Sequence, residues 1–159
     1  MTDLDLQQTY EELDPSGMRQ RLAGFASQCG SAWEEALTFH LPAEYARVER
    51  VVVVGMGGSA IGGDLLADLA SLEDAPPIAV SRDYHAPSYV DEGTLVIACS
   101  YSGNTEETLS AFGQALSSGA KVVAVTSGGK LAAEARESDI PCFVFDYQGE
   151  PEARWVTCF

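Results

Sequence analysis

Apolar positions change their period several times along this chain, and each change marks an element. Residues 4–13 form a short amphipathic segment. Asp14 and Pro15 then stand as an N-cap and a first-turn proline for a helix expected to bury Met18, Leu22, Phe25 and Cys29. Trp33, Ala36, Leu37 and His40 carry the 3.6-residue period on until Pro42 ends it. These opening helices are expected to cover a sheet, with His40 completing an apolar stripe rather than doing chemistry. From Arg50 the pattern switches. VVVV reads as a strand buried on both faces, GMGGS as a glycine-rich turn, and Ile61, Leu65, Leu66 and Leu69 as one face of a helix. Ala75, Pro76 and Pro77 break that helix, Ile78 to Val80 make a second short strand, and residues 81–90 form a polar and aromatic loop.

The unit then repeats. Leu95 to Ala98 are a third apolar run, SYSGNT a burst of hydroxyl residues, and Glu106, Leu109, Phe112 and Leu116 a return to helical spacing. Lys121 to Val125 are a fourth strand, TSGG a fourth turn, Leu131 to Arg136 a fourth helix, and Ile140 to Phe145 a fifth strand; only the residues from Gln148 lack an obvious element. Strands alternating with helices at this spacing predict an α/β fold: a doubly wound parallel sheet flanked by helices, with right-handed crossovers. The expected organisation is a helical amino-terminal segment over residues 1–45, a core over 46–147 and a tail over 148–159.

Charge narrows the partners. The chain carries 24 acidic against 9 basic residues and a formal charge of -15. Nucleic acid and anionic membrane surfaces are bound by clustered Lys and Arg, so neither is expected as a partner. Cys29, Cys99, Cys142 and Cys158 have no metal-ligand or disulfide-framework spacing, which fits a reducing cytoplasm and predicts no metal site. The acidic start MTDLDLQQTYEELD is unlike a secretory leader, and no apolar run approaches the ~20 residues of a membrane helix. A soluble cytoplasmic domain is the expectation.

The chemistry concentrates in the loops that follow strands, where an open parallel sheet binds its ligands. After the third strand, Ser100, Ser102 and Thr105 add hydroxyl donors beside the exposed N–H groups of a helix start, an arrangement suited to a phosphate. The competing account is capping, with Asn104 and Glu107 as a capping box or Thr105 as the cap. In the first loop Gly55, Gly57 and Ala60 match a dinucleotide fingerprint, with Asp83 as the ribose acid; alternatively Gly57, Gly58 and Ser59 cradle a smaller phosphorylated ligand, or the glycines only make a tight turn. Three hydroxyls and Asn104 after the third strand suit a phosphate monoester better than a dinucleotide. TSGGK lacks the first glycine and the final hydroxyl of a P-loop, and reads as a turn with Ser127 capping the next helix.

VVVVGMGGSAIGGD, SYSGNTEETL and AVTSGGKLAAEA, with DPSGM ahead of them, together resemble the sugar isomerase (SIS) domain of the bifunctional phosphoglucose/phosphomannose isomerases. The resemblance implies a flavodoxin-like five-stranded parallel sheet, a hexose 6-phosphate ligand (fructose, glucose or mannose 6-phosphate), no cofactor, and pairing into a homodimer. Carried over by motif, Gly57, Gly58 and Ser59 would contact the sugar phosphate, Ser100, Ser102 and Thr105 would hold the phosphate, and Arg154 of PEAR would lie near the reacting end. Members of that family carry a second such domain, with the base glutamate and ring-opening histidine in it, and on that reading residues 148–159 are the start of a missing domain. Isomerisation needs a base and an acid within reach of the substrate. The local candidates are weak: His85 lies in the loop after the second strand, and Glu106 and Glu107 read as helix-start residues. The leading expectation is therefore a phosphosugar-binding domain inactive alone. A non-catalytic sugar-phosphate sensor and a dinucleotide-binding enzyme domain are the alternatives.

Overall fold

The computed structural model describes residues 6–145. Five strands, β1 (Arg50–Gly55), β2 (Ile78–Ser81), β3 (Thr94–Ser100), β4 (Lys121–Thr126) and β5 (Cys142–Val144), form one sheet in the order β2-β1-β3-β4-β5. Every pairing is parallel, from Val51 beside Ile78 to Val125 beside Phe143. This is the doubly wound, flavodoxin-like order, whose switch point lies between β1 and β3. Six helices accompany the sheet: α1 (Gln7–Leu13), α2 (Met18–Ala23), α3 (Phe25–Leu37), α4 (Gly58–Ala70), α5 (Glu106–Ser117) and α6 (Gly129–Glu137).

Alternation along each strand splits the apolar residues between the two faces of the sheet. Val52, Val54, Val96, Ala98, Val122 and Ala124 point to one face, where Ala111, Phe112 and Ala115 of α5 and Leu131 and Ala135 of α6 bury them completely. Small alanines on both helices let the backbones approach the strands closely. The opposite face is covered less evenly. There α4 sits over β1 and β2, and a cavity of about 420 Å³ opens between Leu95, Ile97, Val123 and Phe143 of the sheet and Trp33 and Leu66 of the helices.

The opening helices depart from expectation. The long stripe from Met18 to Cys29 is split at Gly24, and no residue of α1, α2 or α3 is buried. Leu22, Trp33 and Leu37 stay 58%, 65% and 59% exposed. Helical spacing specifies that a stripe exists but not what it docks against; here Trp33 and Ala36 of α3, with Phe39 and Leu41 beyond it, line the cavity on the sheet, and Phe39 meets Phe143 edge to face at 5.4 Å. Helix α3 ends at Leu37, before His40 and Pro42, and His40 is exposed. Asp14 does cap, in an unexpected way: Gly17 is the N-cap residue of α2, while the Asp14 carboxylate accepts the N–H of Met18 and of Arg19, each at 2.8 Å. Pro15 therefore lies in the turn before α2 and not in its first turn. Among the described residues no helix is long and apolar enough to cross a membrane.

Candidate functional site

The carboxyl ends of β1 and β3 are adjacent, with Gly55 beside Cys99, so the glycine turn and the hydroxyl burst emerge side by side. Gly57, at φ 52 and ψ -127, is the N-cap residue of α4 and holds a backbone conformation that a side chain would strain. Gly58 opens the helix, and Ser59 in its first turn reaches across: its Oγ accepts the Tyr101 N–H at 3.3 Å. One hydrogen bond thus fastens the first loop to the third.

Helix α5 starts without a side-chain cap. Thr105 is its N-cap residue, yet its hydroxyl pairs with Ser100 Oγ at 2.9 Å instead of with the helix. Asn104 turns away as well, donating from Nδ2 to the Ser102 carbonyl at 2.9 Å. The competing account, a capping box of Asn104 and Glu107 or a Thr105 cap, is therefore not what forms, because the Asn104 amide and the Thr105 hydroxyl pair within the loop instead. The first-turn N–H groups of a twelve-residue helix are left for something else, and with them goes the partial positive charge of the helix start. Ser100 is only 1% exposed and its hydroxyl pairs with that of Thr105; when Ser100 is the donor of that bond, the Thr105 O–H is left to donate. Ser102 is exposed and its Oγ accepts the Asn104 N–H at 3.3 Å, which leaves its own O–H free to donate. The arrangement can present several donors to one anion without a Lys or Arg.

The loop after β2 is stapled to the same helix. Gln114 of α5 donates to the Tyr84 carbonyl at 2.8 Å and accepts the Ala86 N–H at 3.3 Å, and Tyr84 Oη lies 3.5 Å from Glu106 Oε2. Glu107, then desolvation and Glu106, raise the Tyr84 phenol above its ordinary pKa. No local pattern announces Gln114; its role needs the two segments to meet. His85 is an exposed residue whose ring Nδ1 lies 3.2 Å from Asp83 Oδ1, and its side chain is 81% exposed. The His85 backbone N–H, followed by its ring, holds the Asp83 carboxyl below its usual range. Asp83 Oδ1 thus pairs with His85, and the Asp83 side chain is 65% exposed. The structure brings together Gly57, Gly58, Ser59, Ser100, Ser102 and Thr105. Arg154 lies outside the described residues, as does the whole tail over 148–159.

The turn after β4 differs from expectation too. The N-cap residue of α6 is Gly128, with no side-chain cap, and Ser127 Oγ donates instead to the Tyr101 carbonyl at 2.6 Å. A hydroxyl that local sequence would spend on its own helix is drawn off by a carbonyl from the neighbouring loop.

Comparison with known proteins agrees with this geometry. The bifunctional phosphoglucose/phosphomannose isomerase of Caldicellulosiruptor bescii is 46% identical over 114 residues, which is 72% of this chain and 34% of that protein. The D-glucosamine-6-phosphate 4-epimerase of Sulfolobus acidocaldarius is 37% identical over 111 residues, 69% of this chain and 34% of that protein. The chain thus spans about a third of the length of these relatives. Among solved structures, the Vibrio vulnificus NanR protein complexed with ManNAc-6P superposes with a TM-score of 0.61 at 21% identity, covering 92% of this chain and 60% of that one, a likeness of fold. The sequence profile of the SIS domain matches residues 44–140, from the 3-10 turn before β1 to the approach to β5. With most of its length inside that match, the chain belongs to the SIS domain family.

Proposed function

We propose that the adjoining loops after β1 and β3 bind the phosphate of a hexose 6-phosphate (fructose, glucose or mannose 6-phosphate), as one part of an aldose–ketose isomerase site. The observation that carries this reading is the uncapped start of α5, ringed by the hydroxyls of Ser102 and Thr105, with Ser100 behind Thr105. Gly57 and Gly58 offer backbone N–H groups from the adjacent turn, in which the Ser59 N–H donates to the Met56 carbonyl at 3.1 Å and Ser59 Oγ joins the turn to Tyr101. The names of the relatives fit the same ligand class. Isomerisation also needs a base to carry the proton between C1 and C2 and an acid to open the ring. His85 and Glu107 are weak for these roles: one is exposed and committed to Asp83, the other belongs to the first turn of α5. Binding without turnover by this chain alone is the expected behaviour, in a cytoplasmic homodimer that uses no cofactor. A sugar-phosphate sensor would behave alike, since its role also ends at binding.

Calorimetry with the three hexose 6-phosphates, beside a coupled assay for isomerisation, tests this reading. Binding should be measurable, and Ser102→Ala should weaken it by about 1.5–3 kcal/mol, the scale of a hydrogen bond to a charged group. Stabilisation by NAD but by no hexose phosphate would move the assignment to a dinucleotide site. Isomerase turnover at ordinary enzymatic rates would refute the inactivity of the isolated chain.

A further inference from the structure

Three successive carbonyls of the loop after β3 are held, that of Tyr101 by the turn after β4, that of Ser102 by Asn104 of the same loop, and that of Gly103 by the first turn of α6. Tyr101 O accepts both the backbone N–H of Ser127 at 3.0 Å and its hydroxyl at 2.6 Å. Ser102 O accepts Asn104 Nδ2 at 2.9 Å, and Asn104 Oδ1 in turn accepts the Lys130 N–H at 3.3 Å. Gly103 O accepts the Leu131 N–H at 2.9 Å. The two backbones touch directly: a Cβ on Gly103, which sits at φ 64, would lie 1.8 Å from the Gly128 carbonyl oxygen. In a planar trans peptide the N–H points opposite to the C=O. Fixing the carbonyls of Tyr101, Ser102 and Gly103 toward the β4 turn therefore turns the N–H groups of Ser102, Gly103 and Asn104 away from it. Two of those have acceptors within the loop, the Ser100 carbonyl for Gly103 and Ser102 Oγ for Asn104, while nothing accepts the Ser102 N–H among the loop's bonds described above. The clamp also keeps three carbonyl dipoles, each repulsive to an anion, from rotating into the site.

We propose that Ser127 and Asn104 are positioning residues for the anion loop, holding the Tyr101 and Ser102 carbonyls toward the β4 turn so that the loop's N–H and O–H groups stand ready for a phosphate. This rests on the proposed function and adds what makes that site preorganised. Ser127 reaches the anion only through the Tyr101 peptide, and Asn104 only through Ser102. Rotation of either peptide on loss of its clamp would replace a donor by an acceptor.

The test is calorimetric titration of Ser127→Ala, Ser127→Thr and Asn104→Ala with fructose 6-phosphate and with inorganic phosphate, beside thermal unfolding without ligand. Ser127→Ala retains the backbone bond to Tyr101, so the fold should persist. Its Kd for both probes should rise about five- to twenty-fold with the unfolding midpoint little changed, and Ser127→Thr should restore most of the affinity. Asn104→Ala should behave like Ser127→Ala. Unchanged affinity in Ser127→Ala and Asn104→Ala, while Ser102→Ala still binds weakly, overturns the positioning role and leaves the phosphate reading standing. A loss of affinity matched by a loss of fold, without rescue by threonine, also overturns it, since the residue would then be scaffold. No binding of either probe by the unsubstituted chain overturns both proposals.

Discussion

Several side chains that stand next to a helix start in this protein bond elsewhere than to that helix. Thr105, Asn104 and Ser127 each stand where a local rule makes them a cap, and each bonds elsewhere: to Ser100, to Ser102 and Lys130, and to Tyr101. Asp14 is the counterexample, because its carboxylate does serve the start of α2. Its pKa is lowered by the N–H of Arg19 and then that of Met18. A carboxylate whose folded pKa lies below its unfolded value of about 3.9 adds stability above that value and loses it as pH falls through the folded pKa. An NMR titration should therefore give Asp14 a midpoint below the usual Asp range. Hydrogen exchange at the Met18 and Arg19 amides should speed up as pH drops through that midpoint relative to the intrinsic rate, and Asp14→Asn should abolish the step. An ordinary midpoint would refute the assignment.

At the scale of elements, what matters is how closely a helix can approach the sheet. Gly63 of α4 lies against β1, where an added Cβ would come 2.8 Å from Val53 Cγ1 and 2.9 Å from Val53 Cβ. Gly113 of α5 faces open space, with nothing within 4 Å of the same atom. Alanine at a helix interior gains up to about 1 kcal/mol over glycine. Overpacking costs about 1–3 kcal/mol, so the contact decides the sign. Gly63→Ala should lower the unfolding free energy by on the order of 1 kcal/mol and Gly113→Ala should raise it by up to about 1 kcal/mol. Chemical denaturation of both variants checks this; equal shifts in the same direction would show that α4 is not held as closely as drawn. The β-strands were readable from their uninterrupted apolar runs, whose limits all fall within one or two residues of those observed, β5 being the shorter Cys142–Val144. The opening helices were readable as helices but not as cover, since periodicity in one segment carries no information about its neighbour.

Over the whole molecule, one sheet face is sealed by α5 and α6 and the other keeps an apolar cavity of about 420 Å³. Parallel sheets normally have both faces covered. An uncharged open face favours the homodimer proposed above, while two copies at a formal charge of -15 each repel. The two effects separate with salt, because the Debye length falls from about 30 Å at 0.01 M to about 8 Å at 0.15 M. Light scattering should show a dimer whose population rises with ionic strength; a monomer under both conditions would rule pairing out at the concentrations measured.

The amino-acid sequence by itself determined the α/β class, five strands in their places and the family. All of these follow from local period and local motif, which short-range sterics and burial enforce residue by residue. Only the tertiary structure decided that Asn104, Thr105 and Ser127 do not cap the helix that follows each of them, that Gln114 staples the β2 loop, and that the amino-terminal stripe stays exposed. Each depends on a partner between 2 and 30 residues away in sequence, or on a surface, and hydrogen bonds go to whichever acceptor the folded backbone brings within 3 Å. The loop after β3 was legible as a hydroxyl-rich turn between strand and helix, but the bonds that tie it to the segment after β4 were not.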